Sequence, residues 1–415
     1  MSDPQKIIVI GAGINGVATA IWLRRAGHEV TLLDKDGPGA GASFGNAGLL
    51  AQWAIVPINT PGLMKTGLKY LLDPKSPLFL QWRHAPRLMP WLLRFVSNAN
   101  EADARRMIEG LIPIVTDSLA QHQALTRGTS AADFIALSDV GFAYESRAGF
   151  EADRYGWNFR RAAGMAPALI EGPAVQEAEP ILGPQIRCLA VSKDHGHILN
   201  PGGYLKALAQ VLTEEGGTFR QAEVRDLSLT DGRITGVETD QGRLPCDHAV
   251  LAAGIWSKPL MRKLGLKVQI EAERGYHLHL RNPSQMPNNP LMVTTGKFGV
   301  TPMNGGLRCA GTVELGSTVN GPSRKPLALI RHYIAQTFPD LTYDSADEWL
   351  GFRPSTPDSL PLVGEIGKTG VYAAFGHQHI GLTAGAKTGR LVADMISGRR
   401  PNMDMTPYDA NRFSR

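Results

Sequence analysis

At the start of the chain, the order of apolar and polar positions is strand-like in two stretches and helix-like in the stretch between them. The β-branched, largely apolar run Lys6–Ile10 is followed by residues 14–26, whose apolar positions recur at helical spacing, and by a second strand-like stretch over residues 28–33. Continuous apolar runs are typical of parallel strands that are covered on both faces. The pattern therefore predicts a strand, a helix that ends at Gly27, and a second strand that ends in Asp34.

This alternation lapses after Asp34 and resumes near residue 200. The later predicted elements are a helix at 201–215, strands at 217–224, 233–239, 248–253 and 370–375, and a helix at 382–396. Between them, the stretch RGYHLHL at 274–280 predicts a strand of an antiparallel sheet, with Tyr276 on the opposite face from His277 and His279. The nucleotide-type part of the fold is therefore expected to be discontinuous in sequence.

Three glycines lie on the turn between the first strand and the first helix. Gly11, Gly13 and Gly16 have the spacing G-x-G-x-x-G. In a dinucleotide site the first glycine allows the turn, the second lets a pyrophosphate approach the backbone, and the third lets helix and strand pack. Asp34, 23 positions after Gly11, is placed to accept hydrogen bonds from a ribose diol. A glycine turn without ligand is the alternative, but strand, helix and acid in register favour a bound ADP moiety.

Length and composition restrict the class of protein. A chain of 415 residues suits two intertwined domains or one large α/β domain with an insertion. Its content of 43% hydrophobic and 20% charged residues is that of an ordinary globular protein. The net charge of +5 is a weak excess for this length and gives no reason to expect a nucleic-acid partner.

Cysteine usage indicates a reducing compartment. Cys188, Cys246 and Cys309 are far apart and form no C-x-x-C pair, so neither a disulfide framework nor a zinc site is expected. Signal-peptide features and apolar runs of membrane-span length are not visible. We expect a cytoplasmic protein that is soluble or peripheral to a membrane.

Five segments together resemble the D-amino-acid oxidase and dehydrogenase family of FAD enzymes, which includes glycine oxidase and sarcosine oxidase. In order and separation these are GAGINGVATAIWLRRAGHEVTLLDKD, ASFGNAGLL, VLAAGIWS, GFRPSTPDSLPLVG and FGHQHIGLTAGAKTG. SFGNAG and the long segment after it are most similar to the bacterial D-amino-acid dehydrogenase small-subunit type. The resemblance implies an α/β fold class, with a Rossmann-like FAD-binding domain and a second substrate domain of mixed or antiparallel sheet plus helices.

Both domains are expected to be assembled from separate segments. The FAD-binding domain is predicted at 1–56, 196–258 and 349–415, and the substrate domain at 57–195 and 259–348. By the same resemblance, the residues that hold FAD are expected to be Gly11, Gly13, Ile14, Asn15, Gly16, Asp34, Lys35, Ser43, Asn46, Ala47, Gly48, Val224, Gly254 and the turn from His377 through Thr383, which includes Gly381 and Leu382.

Arg353 is the candidate for substrate binding. Pro354 and Pro357 stiffen the backbone around it, and its guanidinium can offer a bidentate fork to a carboxylate. In the family that the chain resembles, the arginine of this motif clamps the substrate carboxylate above the flavin. A structural pairing with Asp358 or Glu365 is the alternative. Tyr276 is a further catalytic candidate, but Tyr276 and His277 are each either pocket residues or packed core residues, and the sequence leaves this open.

The resemblance implies oxidative deamination of a D-amino acid. The α-carbon would transfer a hydride to flavin N5, and water would hydrolyse the imino acid to a 2-oxo acid and ammonia. Electrons would pass to a quinone-type or other non-oxygen acceptor. His377 and His379 are candidates for tuning the flavin or the amine. Two alternatives stay open: oxidation of glycine, sarcosine, D-proline or cis-4-hydroxy-D-proline, and a non-catalytic FAD-binding subunit of a complex.

Histidines occur in three H-x-H pairs. These are His195 with His197, His277 with His279, and His377 with His379. Two histidines on one face of a strand could bind a metal, but the pairs lack a cysteine partner, and flavin amine chemistry needs no metal. We therefore expect no metal site. Cys309 could in principle attach a flavin covalently, an arrangement that we do not expect.

Residues 60–96 combine bulky apolar side chains with basic ones. The apolar members are Leu63, Leu68, Tyr70, Leu71, Leu78, Phe79, Trp82, Trp91, Leu92 and Phe95, and the basic ones are Lys65, Lys69, Lys75, Arg83, Arg87 and Arg94, against the single acid Asp73. This composition is typical of an interfacial helix at the inner face of the plasma membrane, where a quinone would be the acceptor. It is equally typical of amphipathic helices whose apolar faces belong to the core.

Overall fold

The computed structural model describes residues 3–63, 67 and 76–413. Strands in these residues are β1 (Lys6–Ile10), β2 (Glu29–Asp34), β3 (Leu49–Leu50), β4 (Leu78–Leu80), β5 (Ile135–Tyr144), β6 (Ala168–Glu171), β7 (Cys188–Ile198), β8 (Thr218–Gln221), β9 (Val224–Thr230), β10 (Arg233–Thr239), β11 (Gly242–Pro245), β12 (His248–Leu251), β13 (Glu271–Arg281), β14 (Leu291–Val293), β15 (Phe298–Met303), β16 (Gly306–Leu315), β17 (Ser345–Ser355), β18 (Leu362–Glu365) and β19 (Val371–Phe375).

The α-helices of the described residues alternate with these strands. In chain order they are α1 (Ile14–Arg25), α2 (Ala85–Ser97), α3 (Glu101–Val115), α4 (Ser118–Thr126), α5 (Arg147–Ala152), α6 (Arg154–Ala162), α7 (Ala174–Ala178), α8 (Pro201–Glu214), α9 (Lys258–Lys263), α10 (Arg324–Thr337) and α11 (Gly381–Ile396). The strand and helix positions predicted from periodicity are confirmed, with ends that differ by a few residues.

A six-stranded sheet forms the nucleotide-binding half. Its strand order is β18-β19-β12-β1-β2-β8, and the pairs from β19 to β8 are parallel, whereas β18 is antiparallel to β19. The central strand β1 presents buried aliphatic residues to both faces, as its continuous apolar sequence predicts. Because β1, β12 and β19 are far apart in sequence, the predicted discontinuous assembly of this half is confirmed.

A ten-stranded mixed sheet forms the other half. Its main path is β17-β13-β16-β15-β14-β5-β7-β3, with β4 paired to β16 and β6 to β7. A separate antiparallel sheet has the order β11-β10-β9. The large sheet includes β3 and β17, which lie at the borders of the predicted FAD-binding segments 1–56 and 349–415. By sheet membership these two strands belong to the substrate side, while the division into domains at the stated bounds stays a prediction.

Antiparallel pairing of β13 with β17 fixes which residues share a face. Glu273 lies opposite Arg353, Gly275 opposite Gly351, and His277 opposite Trp349. Because side chains alternate along a strand, all of these residues are on one face of the sheet. The opposite-face prediction for Tyr276 is therefore confirmed. This shared face forms one wall of the cavity described below.

Segment 60–96 is only partly described. Its members Lys65, Leu68, Lys69, Tyr70, Leu71, Asp73 and Lys75 lie outside the described residues. Helix α2 buries Leu88, Trp91 and Phe95, which form an apolar cluster with Leu315. The core interpretation is therefore confirmed for these aromatic residues. Among the described helices, none combines the length and apolar character needed to span a bilayer.

Candidate active site

One large cavity lies between the two halves of the molecule. It encloses about 1450 Å³, compared with roughly 300–1,000 Å³ for an ordinary small-molecule pocket. The predicted site residues on its wall are Gly11, Gly13, Ile14, Asn15, Asp34, Lys35, Ser43, Asn46, Ala47, Val224, Gly254, Tyr276, Arg353, His377, His379, Gly381, Leu382 and Thr383. The cavity therefore has room for a dinucleotide and a substrate together.

Two of the predicted residues lie behind the wall. A Cβ on Gly16 would come within 1.8 Å of the Gly11 carbonyl oxygen, so Gly16 is required for helix α1 to pack against the turn. Gly48 has a φ of +78° and donates its N–H to Asn46 Oδ1. Both glycines shape the backbone that reaches the cavity.

The glycine turn leaves a backbone-lined approach to helix α1. Gly11 has a φ of +106°, and a Cβ there would meet the Ala252 backbone at 2.7 Å. The first N–H of the helix, on Ile14, donates to Ser43 Oγ at 3.1 Å. Asn15 Oδ1 is buried and has no hydrogen-bond partner among the described residues. Exposed backbone at a helix N-terminus is the arrangement that binds a phosphate group.

Asp34 also has a structural role that the sequence did not indicate. Its Oδ2 accepts the N–H of Ala12 at 2.8 Å, and its Oδ1 accepts those of Asp36 and Gly37 at 2.9 and 3.0 Å. The carboxylate thus joins the glycine turn to the end of β2. Because each carboxylate oxygen can accept more than one hydrogen bond, contact with a ribose stays a prediction.

Residues 43–48, here called the SFGNAG loop, lie against the shared face of β13, β16 and β17. Arg308 Nη1 donates to the carbonyl oxygens of Phe44 and Asn46 at 2.8 and 3.0 Å. His277 Nδ1 hydrogen-bonds to the Gly45 carbonyl oxygen at 3.0 Å. His277 is buried and supports this loop from behind, and it is not among the described residues that line the cavity, so neither the pocket nor the apolar-core interpretation describes it fully.

The indole of Trp349 is the close neighbour of this loop. It stacks on His277 with ring centroids 5.1 Å apart, and a Cβ on Gly45 would come within 2.0 Å of the ring. Side chains larger than glycine are therefore excluded at position 45. Trp349 also lies on the cavity wall, a placement that required knowledge of the strand register.

The N-terminus of helix α11 faces the cavity at residues 381–383. Among the residues that the structure describes, no side chain caps this helix end. The Thr383 hydroxyl accepts the Ala51 N–H and donates to the Leu49 carbonyl oxygen, which ties the end of β3 to the helix. The uncapped N–H groups and the helix dipole offer positive potential to an electron-rich edge of a ligand.

His377 is a neutral imidazole whose two ring nitrogens both have hydrogen-bond partners. Its Nδ1 is 3.2 Å from Asn15 Nδ2, which can only donate, so the proton is assigned to Nε2, which donates to Thr388 Oγ1 at 2.9 Å. Burial lowers the pKa of His377 to about 3. The side chain therefore joins α1 to α11 across the glycine turn and has no free nitrogen for catalysis.

His379, by contrast, is open to the cavity. Its ring has accessible surface on the cavity side, although the residue lies deep in the molecule. Desolvation by the surrounding protein, with a further contribution from the Arg353 charge, lowers the pKa of His379 to about 4. A neutral imidazole at this point can accept a proton or a hydrogen bond.

Arg353 lies across Gly275 on the shared face. A Cβ on Gly275 would meet the guanidinium carbon at 2.6 Å, and Arg353 Nη1 donates to the Thr312 carbonyl oxygen at 3.2 Å. Burial lowers the pKa of Arg353, and the nearby Glu273 opposes this shift. Asp358, the structural acid considered above, pairs instead with Arg412. Arg353 therefore keeps hydrogen-bonding capacity on the cavity side.

Glu273 was not identified from the sequence. Its side chain is 2% exposed, its Oε2 has no hydrogen-bond partner among the described residues, and burial raises its pKa while Arg353 lowers it. Counting back by twos from His277 would have placed Glu273 and Gly275 on the same face. What the spacing could not supply is the register that places Glu273 opposite Arg353.

The catalytic role expected of Tyr276 does not agree with the position of its hydroxyl. That hydroxyl donates to Glu314, and it accepts from Arg274 and from the Ser323 N–H, in a buried network behind the sheet. The side chain is 1% exposed and packs with the core that includes Leu278. Because β13 alternates, the Tyr276 side chain points to the face opposite Arg353, although the residue borders the cavity.

In the described part of the chain, neither a cluster of metal-ligating side chains nor a reactive thiol is present at this site. Within residues 3–63, 67 and 76–413, histidine, cysteine and acidic side chains form no cluster that could hold a metal ion. Cys188, Cys246 and Cys309 are free and buried. Burial raises the pKa of the Cys309 thiol, which therefore stays protonated.

A glycine-lined turn at the N-terminus of helix α1, joined in one cavity to a guanidinium and to the N-terminus of α11, is the arrangement of a dinucleotide-dependent oxidoreductase. The family described as FAD dependent oxidoreductase (DAO) matches residues 6–395. The chain belongs to this family and is an FAD-dependent oxidoreductase. The orphaned Asn15 oxygen, the bare glycine turn and the uncapped α11 are consistent with FAD as the group that the cavity holds.

Sequence relatives span the whole chain. A D-amino-acid oxidase from Bradyrhizobium diazoefficiens is 35% identical over 100% of both chains. A D-amino acid dehydrogenase from Methylobacterium nodulans is 33% identical over 99% of both. Among solved structures, glycine oxidase from Geobacillus kaustophilus has a TM-score of 0.75 at 20% identity and covers 98% of this chain and 99% of its own. L-proline dehydrogenase from P. horikoshii has a TM-score of 0.74 at 20% identity, covering 100% and 99%. The two structures show the same fold.

Proposed function

We propose that this enzyme oxidatively deaminates a D-amino acid to the 2-oxo acid and ammonia. The observation that carries the proposal is Arg353, a guanidinium seated over Gly275 in the same cavity as the glycine turn. An α-amino acid always presents a carboxylate, and an arginine binds a carboxylate with two parallel hydrogen bonds. The printed names of the 35% and 33% identical relatives support the D-amino acid class.

In this proposal the side chains of the protein bind the substrate and orient it. Arg353 holds the substrate carboxylate, which fixes the direction of the α-C–H bond. His379, neutral and open to the cavity, accepts a hydrogen bond from the substrate amino group, which must be bound in its neutral form because its lone pair must be free for oxidation. Bound FAD would supply the hydride acceptor. The resulting imino acid is then hydrolysed by water.

The test is reduction of bound FAD without oxygen. The purified holoenzyme is mixed anaerobically with D-amino acids, L-amino acids, glycine, sarcosine, D-proline and cis-4-hydroxy-D-proline, and the visible flavin absorbance is followed. We expect bleaching by D-amino acids only. Bleaching only by glycine, sarcosine or a cyclic imino acid would move the proposal to a secondary-amine enzyme, and a flavin that nothing bleaches would favour a non-catalytic subunit.

We further propose a quinone-type acceptor reached from a membrane surface. Trp82, Met89 and Leu93 are 66%, 47% and 65% exposed, Met89 and Leu93 where they also border the cavity, and the exposed Arg83, Arg87 and Arg94 are close to them in sequence. Apolar side chains with interspersed cations suit an anionic leaflet. This proposal places the enzyme at the inner face of the plasma membrane.

The surface is tested by sedimentation with vesicles. The holoenzyme should bind vesicles that contain anionic lipid more strongly than neutral ones, and the double variant Trp82→Ala/Leu93→Ala should lose binding while it keeps its FAD. After anaerobic bleaching, recovery of the flavin colour with a soluble quinone but not with air would support the acceptor. Rapid recovery in air, or vesicle binding that the variant retains, would contradict the respective proposal.

A further inference from the structure

A second buried guanidinium lies on the cavity wall. Arg160, in helix α6, is 8% exposed. It comes from the chain between β5 and β7 and is therefore independent of the strand that carries Arg353. Both arginines contribute to the wall of the same cavity.

Aromatic rings surround Arg160 and fix its position. Its guanidinium carbon lies 4.8 Å from the ring centroid of Trp157, 5.4 Å from that of Phe142 and 5.7 Å from that of Trp53. Its Nε donates to the Trp53 carbonyl oxygen at 3.2 Å. Contacts of a cation with ring faces hold the group without neutralising its charge.

The charge of Arg160 is incompletely paired. Asp153 Oδ2 is 3.8 Å from Nη1, which is too far for a hydrogen bond, and that same oxygen already accepts the Tyr144 hydroxyl at 2.9 Å. Nη1 makes no hydrogen bond within the described part of the chain but has almost no accessible surface, so the group that can reach a ligand from the cavity wall is Nη2, which makes no hydrogen bond there either. A buried cation without a well-formed partner is costly, so an anionic ligand there would gain a strong interaction.

The neighbouring backbone connects this arginine to the catalytic part of the cavity. Trp53, which receives the Arg160 hydrogen bond, is two residues after Ala51, whose N–H donates to Thr383 Oγ1 in the first turn of α11. Arg160 is therefore linked through residues 51–53 to the first turn of helix α11.

We propose that Arg160 binds an anionic group on the substrate side chain, so that the preferred substrates are acidic D-amino acids. The inference rests on the proposed function. Arg353 holds the α-carboxylate and Arg160 the side-chain carboxylate, and the two guanidinium groups together select a dicarboxylate over its neutral amide. An amide of the same shape leaves the cation unpaired and loses the charge-assisted hydrogen bonds.

The test compares each acid with its amide. For the holoenzyme with an artificial electron acceptor, kcat/KM for D-glutamate should exceed that for D-glutamine at least about tenfold, and D-aspartate should likewise exceed D-asparagine. Arg160→Met, which keeps much of the side-chain volume, should reduce each ratio at least about tenfold. Arg160→Lys, which keeps the charge, should restore part of the preference. Arg161→Met, at the exposed neighbouring position, should leave the ratios as in the parent enzyme.

A binding measurement gives a readout without turnover. Glutarate should perturb the visible spectrum of the bound FAD at lower concentration than butyrate, and Arg160→Met should abolish this difference. Acid-to-amide ratios near one in the parent enzyme would overturn the inference, as would an Arg160→Met variant that lowers both members of each pair equally. If neutral D-amino acids reduce the flavin but acidic ones are no better, only this inference fails; if no amino acid reduces it, the proposed function fails as well.

Discussion

At the scale of single residues, the neighbours of Arg353 hold its guanidinium in position. Gly275 leaves space for the guanidinium, the Thr312 carbonyl oxygen takes one of its N–H groups, and Glu273 provides a buried carboxyl across the strand pair. The arginine is therefore held in one position before any substrate arrives, and little side-chain entropy remains to be lost on binding.

Replacement of Arg353 by alanine is the direct test of this residue. Because the carboxylate then loses its charge partner, kcat/KM should fall roughly a hundredfold or more. The flavin content per chain should stay at the parent value, since Arg353 lies on the substrate sheet and not at the glycine turn. Turnover close to that of the parent enzyme would contradict the carboxylate role.

Asp34→Ala tests the other end of the cavity. The substitution removes the acceptor for the N–H groups of Ala12, Asp36 and Gly37, and it also removes the proposed ribose contact. The dissociation constant for FAD should rise about tenfold or more, as measured by flavin retention during dialysis. An unchanged flavin content after dialysis would show that Asp34 has neither role.

At the level of elements, the SFGNAG loop depends on one tight contact with β17. Gly45 lies against Trp349 so closely that Gly45→Ala must displace either the loop or the indole. We expect loss of FAD retention and of activity in this variant. Gly321→Ala is the control, because a Cβ at Gly321 meets no described atom within 4 Å and Gly321 is not among the described residues that line the cavity.

A second substitution separates this contact from general damage to folding. Replacing Trp349 by leucine in the Gly45→Ala background removes the ring that the new methyl group would meet, so part of the FAD retention should return. A double variant as poor as Gly45→Ala alone, together with a thermally stable fold, would show that the contact with Trp349 is not the cause.

Elements with a clear local pattern could be predicted from sequence. The stretch from β1 to β2, the RGYHLHL strand and helix α11 all follow from periodicity and glycine position, which are local properties. The position of Glu273 opposite Arg353 could not be predicted, because strand register is set by residues about 80 positions apart. The contact of Arg160 with Trp53 spans 107 positions and leaves no local signal. The predicted alternation of side chains along β13 correctly placed Tyr276 opposite His277 and His279, but it could not show which face of the strand borders the cavity.

For the whole molecule, buried histidines set the response to acid. Burial lowers the pKa of His122 and His197 to about 4, and that of His277 and His377 to about 3. In the unfolded chain these groups titrate near about 6.5. Between roughly pH 6.5 and pH 4 the unfolded chain therefore binds more protons than the folded one, so the free energy of unfolding decreases as the pH falls.

Urea unfolding of the holoenzyme at fixed excess FAD measures this effect. The unfolding free energy should be nearly constant above about pH 7 and should fall below about pH 6.5, with each buried histidine adding up to about 1.4 kcal/mol per pH unit to the slope. His122→Gln should reduce this slope by up to about 1.4 kcal/mol per pH unit, the contribution of one buried histidine. A stability that does not change between about pH 7 and pH 5 would contradict neutral burial.

The neighbours of strand β1 have a consequence for synthesis of the protein. On one side β1 pairs with β12, about 240 residues later in the chain, and β12 in turn pairs with β19, a further 120 residues on. A ribosome therefore exports the glycine turn long before the strands and the helix that complete the cavity. At ordinary rates of synthesis this interval lasts tens of seconds, during which the apolar strand has no lasting partner on that side. Capture of the yellow cofactor consequently reports that translation has passed helix α11, and the colour of a cell extract would measure how much of the newly made chain matures.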